Sequence, residues 1–81
     1  MNERKNFDRV EGIIRNSLKL KNFSISMETQ LKDIDGWDSL QHVVIIAEVE
    51  KSFGIQIDFL ELLEIQSVGD ICRAVSKHLD S

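Results

Sequence analysis

Apolar residues recur at three- and four-residue steps through much of this chain, and no proline interrupts them. That spacing places side chains on one face of an α-helix. It predicts a first helix over about residues 3–19 and a last helix over about residues 67–79. The two apolar stripes consist of Phe7, Val10, Ile13, Ile14 and Leu18, and of Val68, Ile71, Cys72, Val75 and Leu79. Because 81 residues can enclose only one small core, we expect a single domain over residues 1–81.

The segment over residues 39–53 is ambiguous between helix and strand. Its β-branched run at residues 43–46 suits a buried strand as well as a helix. The signals at its two ends favour a helix, because Asp38 and Ser39 form a capping pair and Gly54 can end a helix. We therefore predict a helix in which the Ser39 hydroxyl serves as N-cap, so that Ser39→Ala costs about 1 kcal/mol of stability.

That second helix presents two apolar stripes when it is projected as an α-helix. The first consists of Ile45, Ile46, Val49 and Phe53, and the second of Leu40, Val44 and Ala47. We predict that the first stripe faces the core. The second is either further core or an exposed docking surface, and periodicity alone leaves both open.

The remaining segments are a long connection and a short helix. The helical period is lost over residues 19–38, where polar and turn-forming residues become frequent. Apolar anchors should hold this loop against the protein: Leu20, Phe23, Ile25, Leu31 and Ile34. Asp58 can cap a short helix over residues 58–64, and Ser67 with Asp70 resembles a capping box for the last helix. The predicted fold is all-α, a four-helix bundle with three main helices, one short helix and a long first loop.

Charge is distributed unevenly along this chain, whose formal net charge is −4. Residues 1–21 carry six bases and three acids, whereas residues 28–64 carry nine acids and two bases. The acidic middle repels nucleic acid, and it either attracts basic protein surfaces or is an ordinary solvated face. We therefore expect no nucleic-acid partner.

The chain contains one cysteine and no apolar run of the roughly 20 residues that cross a bilayer. We expect Cys72 to be a small core residue, since a single cysteine forms neither an internal disulfide nor a zinc site. The N-terminus lacks the hydrophobic segment of a secretory signal. These features predict a cytoplasmic protein without a membrane partner, and we expect a monomer.

The residues most suited to chemistry lie where the long loop meets the second helix, at Gly36-Trp37-Asp38-Ser39-Leu40. The N-terminus of a helix presents unpaired N–H groups and a partial positive charge, which favour a phosphate ester on the Ser39 hydroxyl. A long substituent on Ser39 can also project from the domain without disturbing the core.

These residues resemble the acyl carrier protein family, also called phosphopantetheine-attachment domains. Asp38-Ser39-Leu40 is similar to the family's attachment motif, and Phe53-Gly54-Ile55 is similar to the end of its second helix. Residues 67–71 are similar to the segment that opens its last helix. The resemblance spans about the whole chain and is strongest from Leu31 to Ile71.

The resemblance implies that a phosphopantetheinyl transferase moves a 4′-phosphopantetheine arm from coenzyme A to the Ser39 hydroxyl. The terminal thiol of the arm would then carry an acyl or aminoacyl group as a thioester. Asp38 would help to hold magnesium in the transferase complex rather than bind a metal in the free protein. The chain itself would be a carrier and not an enzyme.

The same resemblance implies a partner-facing side of the second helix, which favours docking for the second apolar stripe. The expected partners are acyl-transferring, acyl-activating or condensing enzymes with basic docking surfaces. The predicted partner-binding residues are Trp37, Leu40, Val44, Ala47, Glu48 and Glu50.

Three positions depart from housekeeping fatty-acid carriers. Gln41 and Val44 stand where those carriers often have acidic residues, so the helix offers partners fewer charges and more apolar surface. Trp37 before the Asp-Ser pair is similar to specialised carriers of polyketide, aminoacyl or D-alanyl pathways, although it can also simply pack the loop. We predict a specialised carrier with a narrower set of partners.

Two other functions are compatible with parts of the sequence. A non-catalytic helical interaction module would dock through the same helix, with Ser39 only an N-cap. Ser39 and His42 are also spaced to lie on one helical face, as in a hydrolytic dyad. We reject the dyad because no base-orienting group or oxyanion hole can be assigned in so small a domain.

Overall fold

The computed structural model describes residues 3–80, with side chains from Lys5 onward; Met1, Asn2 and Ser81 of the predicted domain lie outside this range. Every regular element in the described range is a helix or a helical turn, which confirms the predicted all-α fold. The helices are α1 (Phe7–Leu18), α2 (Ser39–Phe53), α3 (Phe59–Glu64) and α4 (Val68–Leu79), and 3-10 turns span Glu3–Asn6 and Leu31–Asp33. None of the described helices is long and apolar enough to cross a membrane.

The first helix is shorter than predicted. Residues Glu3–Asn6 form a 3-10 turn, and α1 begins at Phe7, after Asn6, whose side chain makes no cap. At the other end, Lys19 adopts the left-handed conformation, with φ 56°. A residue in that conformation ends a helix, so α1 stops at Leu18.

The core lies between α1, α2 and α4, which contact one another. Its members from these helices are Phe7, Val10, Ile14, Ile45, Ile46, Val49, Val68, Ile71, Cys72, Ala74 and Val75. The first stripe of α2 therefore faces the core as predicted, with Phe53 partly buried against it, and Cys72 is fully buried. Leu79, the last residue of α4 and of its predicted apolar stripe, is 46% exposed.

Apolar anchors hold the long loop between α1 and α2 to the core. Ile25, Leu31 and Ile34 are buried, and Leu20 and Phe23 pack against the core while partly exposed. All five predicted anchors thus contact the protein. The loop follows a defined path over the bundle.

Backbone hydrogen bonds tie the same loop to the start of α4. Thr29 O accepts from the Val68 N–H at 3.0 Å, and Met27 O accepts from the Gly69 N–H at 2.8 Å. A Cβ atom on Gly69 would stand 2.9 Å from Met27 O. Only glycine permits this approach, so the loop's position depends on Gly69, the second residue of α4.

The start of α4 also has the predicted capping box. Ser67 Oγ accepts from the Asp70 N–H at 3.0 Å, and Asp70 Oδ2 accepts from the Ser67 N–H at 3.2 Å. Partial burial opposes ionisation of the Asp70 carboxyl. The N–H groups of Gln66 and Ser67 and the Arg73 guanidinium outweigh that effect and lower the pKa of Asp70.

Candidate functional site

A tight turn delivers the chain from the long loop to the N-terminus of α2. Gly36 has φ 90°, in the region that favours glycine, and the Trp37 N–H donates to Ile34 O at 3.0 Å. Ile34 is buried, so the turn is fixed to the core on its loop side. Asp38 and Ser39 therefore start α2 from a defined position.

Asp38, and not Ser39, is the N-cap of α2, so the prediction that Ser39 caps the helix is wrong. Asp38 has an extended backbone, its carbonyl accepts the first helical N–H, from His42, and its Oδ1 accepts from the Gln41 N–H at 2.8 Å. Ser39 is already the first helical residue and its side chain is exposed. The capping role belongs to the residue with the extended backbone, which leaves the serine hydroxyl available at the helix N-terminus.

An open groove of about 480 Å³ lies beside Ser39. The loop before α2 forms one side with Gln30 and Lys32, and Gln66, after α3, lines another. Trp37 and His42 also line it. Its volume falls within the range of roughly 300–1,000 Å³ that is typical of small-molecule sites.

Both nitrogens of the His42 imidazole are engaged in this lining. The Trp37 indole N–H donates to His42 Nδ1 at 3.2 Å, and His42 Nε2 lies 2.9 Å from Leu62 O in α3. The imidazole is therefore committed to Trp37 and Leu62 and not to Ser39, which agrees with our rejection of a Ser39–His42 dyad.

The second stripe of α2 is exposed, which excludes the alternative that it is further core. Leu40 is 67% exposed and Val44 41%, and Ala47 is also exposed. Sequence reasoning missed Val43, which is 51% exposed on the same helix. It also missed three exposed residues of α3, namely Phe59, Leu60 and Leu63. Their spacing in a short apolar segment indicated a helix but not its outer face.

The two acidic residues predicted for partner binding differ in their surroundings. Glu48 is exposed, as predicted. Glu50 Oε2 accepts from the Ile57 N–H at 2.6 Å, across the connection from α2 to α3. Its carboxylate therefore has a structural role at that connection, and its contact with partners stays a prediction. Trp37 is partly buried against the core and lines the groove, and its contact with partners stays a prediction.

Potential metal ligands do not cluster in the described part of the chain, which has no group of three or more His, Cys, Asp or Glu side chains that could hold a metal ion. The site is thus an exposed hydroxyl, the first turn of a 15-residue helix and a neighbouring groove.

Comparisons with known proteins agree with this arrangement. Residues 8–75 match the family model described as "Phosphopantetheine attachment site". The acyl carrier protein of Thermotoga maritima is 34% identical over 73 residues, which cover 90% of each chain. That of Clostridium acetobutylicum is 32% identical over 74 residues, which cover 91% of this chain and 96% of the relative.

A solved structure is similar along almost the whole chain. The solution NMR structure of the holo acyl carrier protein from Geobacter metallireducens has a TM-score of 0.83 and 32% sequence identity. The match covers 93% of this chain and 86% of that one. The chain therefore belongs to the acyl carrier protein family, as a non-catalytic carrier of acyl groups on covalent 4′-phosphopantetheine that works with a phosphopantetheinyl transferase and biosynthetic enzymes.

Proposed function

We propose that Ser39 is the residue that carries the phosphopantetheine arm. The observation that carries this proposal is the separation of roles at the start of α2, where Asp38 caps the helix and the Ser39 hydroxyl remains exposed. The serine hydroxyl releases its proton to solvent as its oxygen bonds to phosphorus, the pyrophosphate bond of coenzyme A breaks, and adenosine bisphosphate leaves with the bridging oxygen. Because the Asp38 side chain caps α2, modification of the Ser39 hydroxyl leaves the cap of the helix intact.

The residues around Ser39 fit a phosphodiester and a flexible arm. A phosphate at the first residue of α2 lies beside the N–H groups and partial positive charge of the helix N-terminus. The groove beside it offers the Gln30 and Gln66 side chains to amide groups and the Trp37 ring to apolar groups. When bound, the arm supplies a thiol that holds the acyl or aminoacyl group as a thioester.

Asp38 is proposed to assist the transferase. Its Oδ1 is occupied by the Gln41 N–H, which fixes the carboxylate beside the Ser39 hydroxyl. A carboxylate held in this way is a suitable oxygen ligand for the magnesium of the transferase complex. Asp38 would thus act in that complex and not as a metal site of the free protein.

The test is attachment of the arm to the purified protein. Wild type, Ser39→Ala and Ser24→Ala are incubated with coenzyme A, magnesium and a broad-specificity phosphopantetheinyl transferase, and intact mass is recorded. Ser24 is an exposed loop serine and provides the control. Wild type and Ser24→Ala should gain one arm, and Ser39→Ala none. A gain on Ser39→Ala would assign the arm to another residue, and no gain on wild type would favour an interaction module.

The exposed side of α2 is proposed to bind partner enzymes that have basic docking surfaces. Leu40 and Val44 supply apolar contacts, with Ala47 beside them, and Glu48 supplies charge. The acidic balance of residues 28–64 supports association with basic surfaces.

A specialised set of partners fits the helix better than a general one. Gln41 and Val44 reduce its charge, and Trp37 gives the groove an aromatic side. The partners that we propose are acyl-transferring, acyl-activating or condensing enzymes of a dedicated pathway, meeting a monomeric carrier. A cytoplasmic location is part of this proposal, and a chain whose one cysteine, Cys72, is buried in the core suits that reducing compartment.

A further inference from the structure

We propose that His42 is a positioning residue for the arm, because its neutral imidazole holds Trp37 and the C-terminal end of α3 in place around the groove beside Ser39. This inference rests on the proposed attachment of the arm to Ser39. It concerns a residue that neither transfers a proton nor contacts the reacting atoms. Its role is to fix the shape of the groove that receives the arm.

The protonation of His42 follows from its two partners. The indole nitrogen of Trp37 can only donate, so His42 Nδ1 must accept from it and carries no proton. The Leu62 carbonyl can only accept, so His42 Nε2 must donate and carries the proton. A single neutral tautomer satisfies both contacts. A doubly protonated ring would place two N–H donors against each other at Trp37.

The end of α3 needs such a donor. The last carbonyls of an α-helix have no partner within the helix. Leu62 O receives the Ile65 N–H at 3.3 Å, a long hydrogen bond, and His42 Nε2 at 2.9 Å. His42 therefore caps the C-terminal end of α3 from a neighbouring helix, a role that histidine can fill at helix C-termini.

This contact matters because α3 has little burial of its own. None of its six residues is buried, and of its apolar side chains Leu62 packs against the core while partly exposed. On the α4 side, Glu61 Oε1 lies 2.9 Å from His78 Nε2. The two histidines thus connect α3 to different helices: His42 connects it to α2, and His78 connects it to α4.

The shape of the groove depends on the contacts that His42 makes from α2. Ile65 and Gln66, which line the groove, directly follow α3 and are three and four residues beyond Leu62. Trp37, at the other end of the His42 contacts, also lines the groove. One side chain therefore connects two of its sides, and losing its hydrogen bonds should loosen both.

Three variants separate this role from general stability. His42→Phe keeps an aromatic ring and removes both hydrogen bonds, whereas His42→Gln can still accept from Trp37 and donate to Leu62. His78→Phe serves as the control. It removes the hydrogen bond between His78 and Glu61 of α3, and neither of these residues lines the groove. Circular dichroism establishes that each variant is folded.

Two spectroscopic measurements report the contacts directly. In wild type, nitrogen NMR of the imidazole should show the proton on Nε2 of His42. The indole N–H of Trp37, the sole tryptophan, should exchange with solvent about three- to tenfold faster in His42→Phe, as expected for loss of one hydrogen bond. His42→Gln should restore most of the protection, and His78→Phe should leave it unchanged.

A third measurement tests the effect on the arm. Attachment of the arm should change Trp37 emission in wild type and His78→Phe, and the change should be much smaller in His42→Phe. A proton on Nδ1 in wild type, or equal indole exchange in wild type and His42→Phe, would overturn the inference. If His42→Phe does not fold, the inference is tested by the wild-type tautomer and by indole exchange in His42→Gln, which should stay close to that of wild type. If wild type accepts no arm, the attachment proposal fails, while the tautomer and indole exchange still decide the contacts of His42.

Discussion

The two helices α3 and α4 start in the same way and end up in different environments. A side chain caps each of them, Asp58 for α3 and Ser67 for α4. Yet α4 has six buried residues and α3 has none. The difference shows that a cap determines where a helix begins, whereas the length and register of its apolar stripe determine whether the helix joins the core.

This contrast divides the molecule into a core side and a Ser39 side. The core side consists of α1, α4 and the inner face of α2, and apolar burial stabilises it. The Ser39 side consists of the N-terminus and exposed face of α2 together with α3, and individual hydrogen bonds hold it. A carrier must stay folded while successive enzymes bind it, and this division would keep the proposed partner contacts apart from the core.

The contrast predicts its largest effect for the loss of a core side chain. Ile71 in α4 is 0% exposed and Leu60 in α3 is 72% exposed. Ile71→Ala should lower the free energy of unfolding by about 2–5 kcal/mol, and Leu60→Ala should change it by less than about 0.5 kcal/mol. Urea unfolding followed by circular dichroism measures both. Comparable losses would mean that α3 belongs to the core.

A smaller effect is expected from Glu50, whose carboxylate holds the connection from α2 to α3. Glu50→Ala leaves the Ile57 N–H without its acceptor and should cost about 1–2 kcal/mol in urea unfolding. Glu48→Ala, two positions earlier and exposed, should cost less than about 0.5 kcal/mol.

Association kinetics provide the complementary test of these two residues. Glu48→Lys should slow association with a basic partner enzyme, most clearly at low salt, while unfolding stays nearly unchanged. A rate that depends on neither this change nor salt would argue against Glu48 as a docking residue.

The N-terminus of α2 predicts an effect of about 1 kcal/mol that distinguishes two adjacent residues. Asp38→Ala removes the N-cap and should destabilise the protein by about 1 kcal/mol. Ser39→Ala should have almost no effect on stability, because its hydroxyl does not cap the helix. Thermal unfolding of the two variants checks this directly, and a larger loss for Ser39→Ala would restore Ser39 as the cap.

The smallest effect concerns the charge at the start of α4 and depends on pH. The pKa of Asp70 lies below its usual 3.8 in the folded protein, so its carboxylate stabilises the fold above that value. This stabilisation is lost as pH falls through the lower, folded pKa. Asp70→Asn keeps an oxygen acceptor and loses the charge, and should cost about 0.5 kcal/mol at pH 6. The difference from wild type should vanish in strong acid; a difference that grows there would reverse the assigned direction.

Local signals in the sequence were sufficient for most helix boundaries. The predicted second helix, 39–53, has the bounds of α2 because Asp38 and Gly54 stop it on either side. The start of α1 could not be predicted in this way, since Asn6 makes no side-chain cap. The N-cap is Asp38 and not Ser39 because the backbone of Asp38 is extended and that of Ser39 is already helical. The sequence Asp-Ser does not determine which of the two residues adopts the extended conformation.

The site was predictable where it depended on neighbours in sequence. The exposed position of Ser39 at the start of α2 follows from its flanking residues. The contact of His42 with Leu62 joins residues 20 positions apart and requires α3 to lie beside α2. No periodicity signals such a contact, so the role of His42 became visible only in the folded structure.

The hydrogen bonds of the long loop to the start of α4 have a consequence for the order of folding. They join segments about forty residues apart, and α2 and α3 lie inside the loop that they close. If the intervening residues were disordered, bringing these two segments together would cost much conformational entropy. A preformed α2 leaves fewer residues to order and lowers that cost. We therefore expect the helix that bears Ser39 to form early in folding and the junction at Gly69 to form late.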